Sequence, residues 1–432
     1  MIRFTPRSED EDVKIAVIGA GVSGLVVAHG LHPEHDVTVF EAGAYAGGHT
    51  NTVSVETGAA RYEVDTGFIV FNDRNYPGFE SLLARLGVTS QPSEMSFGVS
   101  DGRDFEYAAH SPRSLYANPR HLVDRTFQRM VAEYVRFNRE ARRLLAGDAD
   151  PSLAAWLHEG GFSQAFVDKL IVPQAAAVWS ADPAQMWTFP ARFLVEFFDN
   201  HGMLGFRARP QWRTVTGGSR EYVKALIRPF ADRIRLNCPV EGVERFDDHV
   251  DVRLRGGEIE GFDEVVIAAH ADQALAMLRD PSDAEHEVLG AIPFQANEAV
   301  LHTDRSVMPR RRRAWASWNY HLAESDGGAG GPSTVTYWMN RLQALSADRD
   351  FLVTLNRTEA IDPATIIRTI DYAHPVYTSV GQAAQRRVGE VTGVNRTHYC
   401  GAYWSWGFHE DGVQSAFRVL RALSAIREPA PA

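Results

Sequence analysis

Lysine is nearly missing from this chain. Of 44 basic residues only Lys14, Lys169 and Lys224 are lysine, and none follows residue 224. Chemistry that needs a lysine amine in the second half of the sequence is thereby excluded. Cysteine is scarce as well, with Cys238 and Cys400 alone. Two such distant residues give neither metal-ligand spacing nor a disulfide framework, so no metal site is expected and a reducing compartment fits. No apolar run reaches the roughly twenty residues that span a bilayer. The opening MIRFTPRSEDEDVK lacks the apolar core of a secretory signal. A cytoplasmic protein is expected, and a peripheral membrane contact is compatible with it. A basic balance is lacking too: the net charge of −11 argues against a general nucleic-acid partner. Nothing points to a particular oligomeric state.

What the chain does contain is size and pattern. Its 432 residues, 44% hydrophobic and 23% charged, suffice for two ordinary globular domains. The most informative stretch is 13–50. Ile15-Ala16-Val17-Ile18 is the short apolar run of a buried parallel strand. Gly19, Gly21 and Gly24 follow as G-x-G-x-x-G, with Ala20 and Ser23 inside the motif. The first glycine serves a tight turn, the second a close backbone approach to a pyrophosphate, the third the packing of helix on strand. The helix, Ser23 to about Leu31, presents its unpaired N–H groups and positive dipole end to an anion. A second strand over 37–40 ends at Glu41, roughly twenty residues beyond Gly19, where an acid meets ribose hydroxyls. Strand, glycine turn, helix, strand and terminal acid in this order predict a dinucleotide site.

Glu41-Ala42, Gly47-Gly48-His49 and Thr52 together resemble the E-x-x-x-x-x-G-G-R-x-x-T motif of the FAD-dependent amine oxidase, protoporphyrinogen oxidase and phytoene desaturase superfamily. His49 stands where that family usually has arginine, and Tyr45 where it often has another. The resemblance continues along the chain. Gly67-Phe68 matches a D-x-G-G-like turn against the flavin, with Phe68 replacing the second glycine. Gly217-Gly218-Ser219 resembles the return to the nucleotide domain, and Val240 the valine whose backbone meets the adenine end. Residues 263–269 resemble a strand near the nucleotide. A strand over 397–400, then Gly401-Ala402 and a helix from about Gly412-Val413, resemble the closing motif. There the glycine approaches the pyrophosphate, and the helix N-terminus faces the flavin. The resemblance implies an α/β (α+β) fold: a Rossmann-like FAD-binding domain (1–75, 212–280 and 395–432) interleaved with a substrate domain of mixed sheet and helices (76–211 and 281–394). It also implies FAD held non-covalently, since neither cysteine occupies the family's attachment position.

Between the motifs the pattern is coarser. Residues 1–12 read as a frayed polar tail. Helices are expected over 75–86 with Gly87 as stop, from Pro119 to Gly147-Asp148, and over 151–158, 163–179, 190–200 and 219–230. Short strands are expected near 95–99, 105–108, 233–236, 240–246, 295–302, 314–319, 333–338 and 351–355, with a loop at 327–331. Trp179, Trp187, Phe189, Phe193, Phe197, Phe198 and Phe206 crowd the helical block, mostly as core, some as candidates for an apolar pocket. Arg310 to Arg313 form a charge run that reads as a solvated face, with an anionic headgroup as the sharper alternative.

A flavin accepts a hydride at N5, so position and pocket matter more than a nucleophile. Amine-oxidising relatives place a lysine near N5; the matching segment here puts Asn297 at that position. The motifs GGHTNTV, QANEAVLHTD, TYWMNRLQ and CGAYWSWGFHEDG resemble most a bacterial group of FAD-binding oxidoreductases commonly encoded beside cyclopropane-fatty-acid-synthase-like methyltransferases. This implies a lipid acyl chain as substrate. Three readings stay open: a dehydrogenase or desaturase of an apolar acyl chain, an amine oxidase, and an FAD-binding protein with an isomerase or lipid-binding role. Asn297, Trp404 and Trp406 are the expected substrate-pocket residues. The two tryptophans are two apart, so an extended loop would point them to one side. His409, whose ordinary pKa of about 6.5 suits acid–base work, is the candidate catalytic residue.

Overall fold

The structure, a computed structural model, describes residues 12–425 apart from residue 59, residues 206–208 and residues 323–332. Residues 1–11 of the expected tail, Phe206 and the loop expected at 327–331 lie outside the described residues. The chain divides into two compact units. The first takes Met1–Gly48, Tyr222–Pro293 and Ala383–Ala432, the second His49–Glu221 and Phe294–Gln382.

The first unit is built on a five-stranded parallel sheet in the order Ile234–Arg235, Asp36–Phe40, Lys14–Ile18, Glu264–Ile267, Thr397–Tyr399. Its inner strands are apolar runs with Ala16, Val17, Val37, Val39, Val265 and Val266 fully buried, as a strand covered on both faces requires. The helix Val22–Leu31 is buried nearly all round because the closing helix His409–Ala425 packs against it. A Cβ at Gly30 would stand 2.7 Å from the Leu420 side chain, so this glycine lets the two helices touch. A three-stranded antiparallel sheet, Val240–Arg245, Val250–Leu254 and Ile259–Phe262, completes the unit with two short helices, Ala271–Met277 and Asp283–Gly290.

The closing helix starts three residues before the Gly412 expected from sequence. Asp411, its third residue, reaches back to accept the Phe408 N–H at 2.9 Å, which caps the earlier start.

The second unit centres on a seven-stranded sheet in the order Ile366–Pro375, Phe294–His302, Leu352–Leu355, Val335–Trp338, Trp318–His321, Phe97–Ser100, Glu106–Ala108. All pairings are antiparallel except that between Trp318–His321 and Phe97–Ser100. Two side structures join it: the hairpin Thr52–Thr57 with Ala60–Asp65, and three short strands, Phe71–Asn72, Trp212–Val215 and Ser90–Pro92.

The helices depart from the sequence expectation where capping and proline chemistry intervene. Pro119 opens only a 3-10 turn, Pro119–Leu122; the long helix is Arg125–Ala146, because the Asp124 carboxylate accepts from Thr126 N at 2.8 Å and fixes the start. The helix expected over 163–179 carries a π turn at Val167–Ile171 just before Pro173, a residue with no N–H to give. The helix Arg220–Ile227 gives way to a 3-10 turn that includes Pro229. The crowded aromatics form core: Trp179, Phe189, Phe197 and Phe198 are buried, with the Trp179 ring 5.0 Å from both Phe189 and Phe197, whereas Trp187 is exposed. Among the described residues no helix is long and apolar enough to cross a membrane.

Candidate functional site

In the first unit the glycine turn, the second strand and the 42–48 loop converge. Gly19 takes φ +107, and a Cβ there would lie 2.7 Å from Ala268 O, so glycine is required by both conformation and space. Gly24 is required by packing alone, since its Cβ would be 2.0 Å from Gly19 O. Gly21 differs from both. Its φ of −75 suits any residue, and apart from its chain neighbours no described atom lies within 4 Å of a Cβ built on it. The protein itself gives no reason for glycine here; the space is open in front of the start of the helix Val22–Leu31. No side chain caps that start, so its N–H groups remain available to an anion.

Glu41 closes one side of this cradle. Its Oε2 accepts from Ala20 N at 2.8 Å and its Oε1 from Gly43 N at 2.7 Å. A carboxylate has about four lone-pair sites, so two more hydroxyl donors find acceptors there. Ala42 is exposed. Gly47 N donates to Ala20 O at 2.7 Å, and Gly48, at φ +58, brings its backbone against Gly21. Asn237 N and Cys238 N donate to Gly43 O and Glu41 O, which sets Val240 just beyond the same loop. An uncapped helix start, open space at Gly21 and a carboxylate with unused lone pairs fit the pyrophosphate and ribose of a dinucleotide.

The closing motif lies against the same helix start. A Cβ at Gly412 would come 2.9 Å from Ser23 Oγ and from Val22 Cγ1, so the first turns of the two helices touch. Val413 is fully buried beside them. Gly401 N donates to Ser415 Oγ at 2.9 Å. The room a side chain at Gly401 would need is filled by the Tyr403 ring, 2.3 Å from a built Cβ. The 402–406 segment is not the extended loop expected from sequence. Ala402–Trp404 form a 3-10 turn, held by Gln385 Nε2 donating to Tyr403 O at 2.7 Å and to Ser405 O at 2.8 Å. The alternation of sides therefore does not apply. Trp404 is buried at 5% exposure and Trp406 is half-buried.

His409 Nε2 lies 2.6 Å from Tyr222 Oη, and burial pushes its pKa down to about 3. A ring so placed stays uncharged through the neutral range and offers no proton near pH 6.5. An acid–base role for His409 would then rest on the neutral ring acting as a base.

The remaining candidates belong to the second unit. Phe68 N donates to His49 O at 2.7 Å, and a Cβ at Gly67 would lie 2.2 Å from that same oxygen. The His49 ring stacks on Tyr372 at 4.8 Å and lies 5.2 Å from His374. Both partners sit on Ile366–Pro375, a strand the sequence reading missed: it is the largely exposed edge of the sheet, so burial gives it little apolar alternation. Its signal was the β-branched run Ile366-Ile367-Arg368-Thr369-Ile370.

Asn297, across the register from Tyr372, is 1% exposed and fully engaged. The orientation of its amide follows from the backbone. Glu298 N–H donates to Asn356 Oδ1 at 3.0 Å, so Asn356 Nδ2 donates to Asn297 Oδ1 at 2.8 Å. Asn297 Nδ2 is then left to donate to His374 Nδ1 at 2.8 Å. His374 is thereby held as the neutral tautomer with its proton on Nε2.

Asp65 was also missed. It is fully buried, and Thr52 Oγ1, Ser219 N, Ser219 Oγ and Gln343 Nε2 all donate to it. Burial pushes its pKa up to about 7 against the pull of these donors. The Gly217-Gly218-Ser219 turn thus owes its place to this carboxylate: Ser219 must donate, and a Cβ at Gly218 would strike Thr52 Cγ2 at 2.6 Å.

Comparison with known proteins agrees with this geometry. The chain is 28% identical over 194 residues to protoporphyrinogen oxidase 2, chloroplastic/mitochondrial, of Arabidopsis thaliana, covering 42% of this chain and 36% of that protein. It is 33% identical over 135 residues to tryptophan 2-monooxygenase of Allorhizobium ampelinum, covering 28% of this chain and 17% of that one. These matches span little more than a third and about a sixth of the relatives' lengths. Among solved structures, a triple mutant of putrescine oxidase superposes with a TM-score of 0.68 at 17% identity over 96% of this chain and 99% of that one. A conjugated-linoleic-acid-producing fatty acid isomerase from P. acnes does so at 0.66 and 16%, with the same coverage. At these identities the likeness is one of fold. The family described as flavin containing amine oxidoreductase matches residues 22–343, well over half of the chain; with its glycine cradle and carboxylate in place, the chain belongs to that family of flavin-dependent oxidoreductases.

Proposed function

We propose that the protein is an FAD-dependent dehydrogenase or desaturase acting on an apolar, acyl- or lipid-like substrate, with FAD held non-covalently. When bound, the flavin would supply hydride acceptance at N5. The chain's own part is to hold and orient. The start of the helix Val22–Leu31 and the backbone at Gly21 would take the pyrophosphate, and Glu41 the ribose hydroxyls. Cys400 is fully buried with its thiol pushed up to about 12, which makes it a poor nucleophile and supports a non-covalent cofactor.

The observation that carries the choice of substrate is Asn297. At the position where amine-oxidising relatives place a lysine, this chain has an amide whose oxygen and nitrogen are both taken by Asn356 and His374. No lysine follows residue 224 that could replace it. The test is anaerobic titration of the flavin-loaded protein. Bleaching by acyl lipids and none by putrescine or cyclohexylamine is the expected result. Bleaching by either amine would overturn the choice, and bleaching by neither class would move the reading to an isomerase or lipid-binding role. Acid precipitation should leave the colour in the supernatant; colour in the pellet would contradict non-covalent binding.

A further inference from the structure

The second unit carries a site that the flavin reading leaves untouched. Its sequence trace is Arg310-Arg311-Arg312-Arg313, four cations in a row in a chain of net charge −11. The structure gives them three kinds of surroundings. Arg311 pairs with Glu106, a carboxylate only 1% exposed. The Arg312 guanidinium carbon lies 3.7 Å from the ring centre of Trp315 and 4.4 Å from that of Trp338, and the group forks onto Asp350 with N–O distances of 3.0 and 3.1 Å. Arg310 and Arg313 are exposed and have no ion-pair or hydrogen-bond partner among the described residues.

The run borders a depression of about 670 Å³ lined by Arg312, Arg313, Trp315, Trp338, Arg341 and His110, among others. Arg341 enters from the next strand connection, paired with Glu94 and donating to Trp315 O at 3.3 Å. Each acid near these arginines is already matched: Glu94 with Arg341, Glu106 with Arg311, Asp350 with Arg312 and Arg305. The cations of Arg310 and Arg313 are left over; Arg313 lines the depression, and Arg310, two residues before Arg312 in the chain, lies outside its lining.

Two properties define what would bind. Arg312 is immobilised before any ligand arrives, by stacking and by a two-point ion pair. A guanidinium has five N–H donors, and Asp350 takes only two of those on Arg312, so donors suited to a phosphate or carboxylate are presented without further loss of side-chain entropy. The apolar part of the lining is Pro92 and the half-buried Trp338, with Trp315, only 5% exposed, beneath Arg312 and a buried base that includes Val300, Met308 and Leu352. A small inorganic anion would leave that wall unused. An anion joined to an apolar chain would use both.

We propose that this depression binds an amphiphile with a phosphate or carboxylate headgroup, the headgroup on Arg312 and Arg313 with Arg310 adding its charge from the adjoining surface, and the apolar part along Pro92 and Trp338. The site stands on the second unit alone and does not depend on the substrate proposed above. The same chemistry is offered by a bilayer surface and by a monomeric amphiphile, and two arms separate them. In one, the flavin-loaded protein is floated with vesicles of phosphatidylcholine alone or mixed with phosphatidylglycerol. In the other, dodecyl phosphate below its micelle concentration is titrated calorimetrically, with inorganic phosphate as reference. Each basic residue at an anionic surface contributes about fivefold, so Arg310→Ala/Arg313→Ala should weaken capture roughly twentyfold or more. Neither side chain has a partner to lose, so the double variant should fold normally. Arg120→Ala/Arg139→Ala, which removes two other exposed arginines, controls for overall charge and should change little. Binding to mixed vesicles only assigns the site to a membrane surface; binding to dodecyl phosphate over inorganic phosphate assigns it to a free amphiphile. Binding in neither arm, or equal loss in both double variants, overturns the proposal.

Discussion

Gly21→Ala tests the cradle most sharply, because folding and ligand binding should respond with opposite signs. At φ −75 and ψ 179 the backbone of Gly21 is in a region open to every residue. Among the described atoms none outside its chain neighbours comes within 4 Å of the added methyl. The unfolded chain loses freedom on the change, so the apoprotein should be unaltered or gain about 0.4–1 kcal/mol. The methyl would, however, stand in the open space that the proposed function gives to the pyrophosphate, before the first N–H groups of the helix. Losing one charge-assisted hydrogen bond costs about 1.5–3 kcal/mol, so flavin binding should weaken roughly ten- to hundredfold. The assay pairs a thermal unfolding midpoint of the apoprotein with a fluorescence titration of FAD. Gly24→Ala is the contrasting control: its methyl would meet Gly19 O at 2.0 Å, so there the midpoint itself should fall. Wild-type FAD affinity in Gly21→Ala, or a clear drop in its midpoint, would refute the assignment of this space to the cofactor.

Other predictions follow from the same geometry. Glu41→Ala removes the acceptor of Ala20 N and Gly43 N as well as the proposed ribose contact; FAD affinity measured by titration should drop roughly tenfold or more, and unchanged affinity would remove Glu41 from the site. Asp65→Ala strands the buried donors of Thr52, Ser219 and Gln343; chemical denaturation should show a loss of about 3 kcal/mol or more, and a loss under 1 kcal/mol would mean that water replaces the carboxylate. His302 and His321 are buried, with pKa values lowered to about 4 and about 3 by desolvation. The unfolded chain therefore binds the extra protons as pH falls below about 6.5, and stability present above that value should be lost by about 1.4 kcal/mol per pH unit per histidine down to about pH 4. His321→Gln should flatten this acid limb in urea unfolding, and an unchanged slope would contradict the burial argument. Nitrogen-15 NMR should find His374 with its proton on Nε2, and Asn297→Ala should release that preference; a proton on Nδ1 in the unaltered protein would reverse the hydrogen-bond chain drawn above.

The nucleotide half was legible in sequence because its demands are local. A buried strand, three glycines with separate duties and an acid at the end of the next strand are fixed by residues within thirty positions, and each falls where the spacing predicts. The open space at Gly21 was implicit in the motif, since no internal contact calls for glycine there. The second unit was harder to read, because its ordering groups meet from far apart in the chain. Asp65 draws its donors from residues 52, 219 and 343, and no short pattern announces that meeting. His374 was hidden on an exposed edge strand, and the orientation of Asn297 depends on Asn356, a residue in the left-handed region at φ 55. The surroundings of His409 were hidden for a related reason. Its ordinary pKa was visible in the residue type, but the burial that lowers it comes from packing with residues as far away in the chain as Tyr222.

The parallel sheet of the first unit has a consequence for how the chain is made. Its first two strands end by Phe40, but the fourth is not reached until Glu264 and the last until Thr397. The strand Glu264–Ile267 pairs with Lys14–Ile18 on one side and Thr397–Tyr399 on the other. During synthesis at about 5–20 residues per second, the N-terminal strands wait roughly 10–45 s for their final neighbour, Glu264–Ile267, and roughly 20–70 s for the sheet to be complete. Through that interval Val17, Val37 and Val39 have no completed sheet to enter, a situation that favours chaperone capture and slow, late folding. A chain halted before the closing helix would lack the second helix that packs on Val22–Leu31, so cofactor uptake should begin only once His409–Ala425 has been made.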